Sequence, residues 1–260
     1  MIKHILILLL TINFAFSESI DSNTSTLTDK DSSISLHPYL TTNIIGIGYG
    51  QLKGSDYTAD IYGVGGDFSI TDNIQTTLVN SKSNGEKDVD INIDMNIYSF
   101  GLLYNFSPNE RITPIIGLSI SRSNYEFTYL DNSIEYESLN IGIYTGVDYG
   151  INKDFLVNGM VSLDTTTISG DIDIVDIDDS KELSIDIDST YFFLNDNFSG
   201  ITMGYSRDFA LESDDEDKDE SSISLSVQYL MVEDIVLILD YSKSLEDSSN
   251  YYGFTANYLF

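Results

Sequence analysis

From residue 39 to the end of the chain, apolar and polar side chains alternate in short runs punctuated by turn residues. Residues 222–229 show the pattern most cleanly. Ile223, Leu225, Val227 and Tyr229 fall on one parity, and Ser222, Ser224, Ser226 and Gln228 on the other. Ile201, Met203 and Tyr205 oppose Gly200, Thr202, Gly204 and Ser206 in the same way. Leu139, Ile141, Ile143, Val147 and Tyr149 oppose Asn140, Gly142, Gly146 and Asp148, with Tyr144 the one large side chain on the polar parity. A period of two is the signature of a strand with two unlike faces. The pattern predicts twelve strands, over 39–51, 57–70, 74–82, 96–106, 111–124, 137–150, 154–166, 184–194, 198–210, 221–231, 235–244 and 250–260. The first and third runs are the least regular, and ten strands is the alternative count.

The connections come in two kinds. Residues 71–73, 107–110, 151–153, 195–197 and 232–234 are tight and mostly carry the Asn, Asp or Pro that turns favour. They alternate with longer acidic segments over 83–95, 125–136, 167–183 and 211–220, which read as loops. Short turns at one end and long loops at the other are the asymmetry of bacterial outer-membrane barrels, whose short turns face the periplasm. A soluble β-sandwich also alternates, but its polar face should often carry Lys, Glu and Arg. Here that face is mostly Gly, Ser, Thr, Asn and Asp, as in a barrel interior, and lysine is nearly missing from the strands. Phe68, Tyr104, Phe106, Tyr149, Phe155, Phe193, Phe198 and Tyr229 all fall near the tight-turn ends, where an interfacial aromatic girdle belongs.

Tyr252, Phe254, Ala256, Tyr258 and the final Phe260 share one parity. This closing segment resembles the terminal strand that the outer-membrane assembly machinery recognises in barrel proteins. Residues 39–260 thus resemble the bacterial outer-membrane β-barrel superfamily, in the manner of a small porin-like protein. The resemblance implies an all-β, closed antiparallel transmembrane barrel in the outer membrane of a Gram-negative bacterium. It further implies contact with outer-membrane lipid and with the barrel assembly machinery, and it singles out no solute.

Lys3, the apolar stretch over 5–16 and the small residues Ala15 and Ser17 predict a signal peptide over 1–17. Residues 18–37 are polar, without apolar period, and are expected to form a flexible periplasmic segment; 38–260 form the barrel. The chain carries 42 acidic against 12 basic residues, a formal charge of -30, so it lacks the basic footprint that nucleic acid requires. With no cysteine, it has no disulfide, thiolate metal site or catalytic thiol.

No catalytic, cofactor or metal residue is singled out. The two histidines, His4 and His37, both precede the first strand, which argues against a His-activated serine hydrolase. The acidic stretches 171–179, 185–188 and 212–220 lack the glycine-bearing spacing of a calcium loop and read as solvated loops and strand ends, with divalent cations as possible partners. Strand parity places Asp67, Asp148, Asp164, Asp186, Asp188, Asp208 and Asp240 inward, with Arg111 the only basic residue expected to join them. The function expected is therefore a narrow, cation-preferring channel. A closed structural or surface-interaction barrel is the alternative, and a lipid-modifying enzyme a more remote one.

Overall fold

A computed structural model describes residues 43–54, 57–87, 91–106, 111–129, 132–170, 180–194, 198–212, 219–246 and 249–260. The leader, the polar segment and the acidic stretch 171–179 lie outside the described residues. Among the described residues the chain forms twelve strands: Ile44–Lys53 (β1), Tyr57–Thr71 (β2), Ile74–Lys87 (β3), Ile91–Asn105 (β4), Ile112–Tyr129 (β5), Asn132–Asn152 (β6), Phe155–Gly170 (β7), Ser180–Phe192 (β8), Gly200–Glu212 (β9), Glu220–Val232 (β10), Ile235–Ser244 (β11) and Asn250–Leu259 (β12). Each pairs antiparallel with its chain neighbours, and β1 pairs with β12 from Ile44↔Leu259 to Lys53↔Asn250, so the sheet closes on itself. Below that seam the Asn43 amide donates to the Phe260 carbonyl at 3.2 Å and the Phe260 amide donates to the Asn43 carbonyl at 3.0 Å. Closure pairs every strand and leaves no edge, the one way a sheet can cross hydrocarbon.

Turn chemistry fixes the short end. Thr71 Oγ1 accepts from the amides of Asn73 and Ile74 at 3.3 and 3.1 Å, and Asn152 Oδ1 accepts from the Asp154 amide at 2.8 Å. Register shifts at 69/71, 150/152 and 230/232 mark bulges next to three of these turns.

Outward-facing positions form an apolar band. Ile47, Met203 and Ile143 are 64%, 63% and 58% exposed although they lie in mid-strand. Large aliphatic side chains so bare around a closed barrel are solvated by lipid, not water. Tyr104, Phe106, Tyr149, Phe193 and Tyr229 edge the band at the short-turn end as expected. Phe198 does not: it is buried and packs inside with Ile44, Val236, Ile238, Leu259 and Leu230. It sits just outside β9, where strand parity no longer dictates the face. At the opposite edge a second aromatic row comprises the exposed Tyr49, Tyr62, Tyr98, Tyr205 and Tyr252 and the half-buried Tyr241. Tyr49 and Tyr62 pair across strands with ring centroids 5.2 Å apart.

Two expected loops are strand instead. Residues 83–87 and 91–95 continue β3 and β4, and 125–129 and 132–136 continue β5 and β6. A strand crosses a bilayer with about 9–11 residues, whereas β5 and β6 have 18 and 21. Their surplus rises beyond the tyrosine row, and there the hydrophobic parity reverses. On β4 the outward residues change from Tyr98, Phe100 and Leu102 to Asn92, Asp94 and Asn96, while the inward ones change from Ser99 and Gly101 to Ile93, Met95 and Ile97.

Those inward residues join Leu52, Ala59, Ile61, Tyr125, Tyr136 and Tyr251 in a buried cluster. Tyr125 and Tyr136 stack at 4.5 Å, and Phe127 and Tyr136 at 5.4 Å. Burial, seconded by the neighbouring Tyr125 phenol, pushes the Tyr136 hydroxyl above the ordinary tyrosine range. Outside the bilayer the outer surface meets water, so the apolar parity must turn inward; each such side chain buried contributes roughly 1.5–3 kcal/mol.

Candidate functional site

The interior divides into two unlike walls. On β7–β11 the inward positions are carboxylates set among hydroxyls: Asp164, Glu182, Asp186, Asp188, Asp208 and Asp240 among Ser162, Ser184, Ser206, Ser222, Ser224 and Ser226. Cross-strand register places Asp164 opposite Glu182, Ser184 opposite Asp208, and Ser226 opposite Asp240. Ser162 Oγ donates to Asp164 Oδ2 at 3.0 Å, and Ser184 Oγ donates to Glu182 Oε1 at 3.3 Å. One buried oxygen each of Asp164, Asp186 and Asp240 has no protein partner among the described residues. Two glycines make this wall possible. Asp188 Oδ1 and Ser224 Oγ lean over Gly204, and Asp164 Oδ1 and Ser119 Oγ over Gly142, so a Cβ at either site would displace a carboxylate.

The other wall, on β1–β6, is apolar at the outer end and polar at the periplasmic end. There Asp67, Gln75, Asn105, Thr113 and Asp148 are buried. Thr77 Oγ1 donates to Asp67 Oδ1 at 2.5 Å, and Asn158 Nδ2 of β7 donates to Asp148 Oδ1. Between the ends many inward residues are small, among them Gly48, Gly63, Ser99, Gly101, Gly117 and Ser119, although Val79 is buried there and the Tyr144 ring lies over Gly117. Across from them Ser224 is exposed although it faces inward, so the barrel has accessible room at mid-height.

The apolar clusters sit diagonally. The Met95 cluster lines the outer end on β12, β1, β2 and β4–β6, and the Phe198 cluster the periplasmic end on β10–β12 and β1, with Phe198 itself reaching in from the connection before β9. The remaining polar surface slants from the outer carboxylates on β7–β11 to Asp67 and Asp148 at the far side of the periplasmic end.

All seven aspartates assigned inward from parity lie on the inward face, Asp67, Asp148, Asp164 and Asp186 among the buried polar residues. Arg111 does not join them. It stands before β5 at the periplasmic rim, donates from Nε to the Gly150 carbonyl and from Nη2 to the Ile151 carbonyl, each at 2.7 Å, and lies 5.2 Å over the Tyr149 ring on the lipid-facing side. Alternation misplaced it because a residue outside a ladder is free to turn. Glu182 and Glu220 were missed: both fell in segments read as loops, and only the longer β8 and β10 bring them to the wall. Among the described side chains no basic residue faces inward, and no group of three or more His, Asp or Glu could hold a metal ion.

No family model matches the chain, and no curated protein matches it. Solved structures do. The translocator domain of the autotransporter NalP from Neisseria meningitidis aligns with a TM-score of 0.64 at 11% identity, over 95% of this chain and 92% of that one. The NanC porin aligns with a TM-score of 0.60 at 13% identity, over 82% and 98%. An outer-membrane channel from Pseudomonas putida F1 aligns with a TM-score of 0.60 at 10% identity, over 90% and 100%. At such identities the likeness is one of fold. The chain thus has the closed-barrel fold of these bacterial outer-membrane proteins, with an apolar band around its outer face.

Proposed function

We propose that the barrel is a narrow passive channel that prefers cations, its selectivity set by the acidic wall of β7–β11. One observation carries the reading: Asp164, Glu182, Asp186, Asp188, Asp208 and Asp240 share a lumen wall on which no basic side chain is described. Uncompensated carboxylates inside low-dielectric walls concentrate cations and repel anions. Asp67 and Asp148 extend the same sign toward the periplasmic end. NanC and the Pseudomonas protein are described as a porin and a channel, which is in keeping with the reading. Reversal potentials across a salt gradient in planar bilayers test it. Cation selectivity is expected, falling toward unity in Asp188→Asn/Asp208→Asn. Anion selectivity, or no current from correctly folded protein, would overturn it.

The two apolar clusters favour a second reading, a closed structural or surface-interaction barrel, for which absence of current is the signature. Neither reading is enzymatic; lipid-modifying activity in a barrel lacking residues 1–37 would contradict both. We further take the last strand as the segment handled by the barrel assembly machinery, since Tyr252, Phe254, Tyr258 and Phe260 face lipid on one side of it. Phe260→Asp should lower the yield of inserted, heat-modifiable barrel.

A further inference from the structure

The chain has only 12 basic residues, and the structure sorts them. Lys3, Lys30, Lys87 and Lys218 have side chains outside the description. Of the rest, Arg111 and Lys153 sit at periplasmic turns. Lys53, Lys82, Arg122, Lys181, Arg207 and Lys243 all face outward and exposed near the outer ends of their strands. Lys53 lies beyond Tyr49 on β1, Arg207 beyond Tyr205 on β9 and Lys243 beyond Tyr241 on β11. An acidic protein has thus put six of its eight described positive charges at the height where a membrane's headgroups meet water, since tyrosine rings mark that interface.

Within the belt one stretch brings two lysines to either side of a single residue. Arg122 is held by Glu137 at 2.6 Å and Arg207 by Asp219 at 3.1 Å. Lys53 and Lys243 have no ion-pair partner among the described residues, and cross-strand register places both opposite the same residue, Asn250 of β12. The row Lys243–Asn250–Lys53 therefore crosses three adjacent strands, with its two lysine backbones about 10 Å apart at the ordinary strand spacing. Directly beneath it Tyr241 and Tyr252 pair with centroids 5.2 Å apart, and Tyr241 Oη donates to Asn250 Oδ1 at 3.0 Å, orienting that amide. On the β2 side the Asp60 carboxylate accepts from Tyr49 Oη at 2.7 Å and Gln51 Nε2 at 3.0 Å, and feels the Lys53 charge without forming an ion pair with it. On the β10 side Lys243 faces Ile223.

We propose that Lys53, Asn250 and Lys243 form an outward-facing site for the phosphate of an outer-leaflet lipid whose acyl chains lie along the apolar band below. The chemistry fits at both ends. Two ammonium groups and a fixed amide meet a dianionic headgroup, and the tyrosine pair with Phe254 and Leu239 beneath it meets the lipid body. Lysine stems lie along apolar surface and deliver their charge to the headgroup layer. A basic residue near an anionic membrane surface strengthens attraction by about 5.4-fold, so the pair accounts for about thirtyfold.

The probe is bisphosphorylated lipid A, presented to the folded full-length barrel in phosphatidylcholine nanodiscs, with retention on the barrel after detergent extraction and the heat-modification temperature as readouts. The wild type should retain it and unfold at higher temperature with it, and Lys53→Gln/Lys243→Gln should lose about thirtyfold in apparent affinity. Lys53→Arg/Lys243→Arg keeps the charges and should keep most of the binding. Lys153→Gln, at a periplasmic turn, should change nothing. Undiminished binding by the glutamine pair, equal binding of dephosphorylated lipid A, or the same stabilisation by inorganic phosphate alone would each overturn the proposal. Heat-modified mobility of every variant shows that the barrel itself still forms.

Discussion

The outer half of β3–β6 and the wall of β7–β11 belong to one sheet, yet they are built on opposite rules. In β3–β6 the strands run past the bilayer, turning Ile93, Met95 and Ile97 inward and Asn92, Asp94 and Asn96 outward, as in a water-soluble barrel. In β8 and β10 the outward face stays apolar nearly to the outer ends, through Leu183 and Ile223, and on β9 Arg207 alone interrupts it, while the inward face of all three keeps its aspartates and serines. What lies outside a strand decides what lies inside it. Lipid outside leaves the polar groups only the interior, whereas water outside frees them for the surface and lets an apolar core fill the lumen.

Four substitutions test that contrast. The largest effect is expected from Ile97→Asp, which buries an unpaired carboxylate in the Met95 cluster and should cost about 4 kcal/mol or more. Loss of protease resistance in β3–β6, with the membrane band intact, is the expected readout. Next, Ile47→Arg places a charge on the lipid face and should cost about 2–4 kcal/mol in urea titrations of the barrel in lipid vesicles. Met95→Ala follows at about 2–3 kcal/mol, through the cavity it leaves, and should leave ion selectivity unchanged. The smallest change in stability belongs to Asp186→Asn, within about 1 kcal/mol, because a buried carboxylate with an unpartnered oxygen adds little to the fold. That same change should measurably weaken cation selectivity. A large loss of stability there, or none at Ile97, would collapse the distinction between the two regions.

The same contrast explains what could be read from the sequence. Residues 222–229 were legible because β10 obeys a single parity along its length, with Ile223 through Tyr229 outward. The inward aspartates followed from that rule. Residues 91–95 were not legible as strand: a search for apolar residues on the lipid-facing parity finds Asn92 and Asp94 there and stops. Tyr125 and Tyr136 were lost in the same way, their hydrophobicity having changed sides. Phe198 and Arg111 eluded it for another reason, since both stand at turns where no ladder holds the side chain to a face. Glu182 was hidden behind a boundary placed too late by a few residues.

The change of sides also acts as a ruler. A strand that alternates uniformly cannot tell its native pairing from one shifted by two residues, since every side chain keeps its face. At Ile97 and Tyr98, apolar neighbours point to opposite faces, as Ile61 and Tyr62 do on β2 and Tyr251 and Tyr252 on β12. A slip of two at any of these points would lift a tyrosine into water or pull an asparagine into lipid. The position of each long strand along the membrane normal is thereby encoded in its own sequence, independently of the turns that connect it.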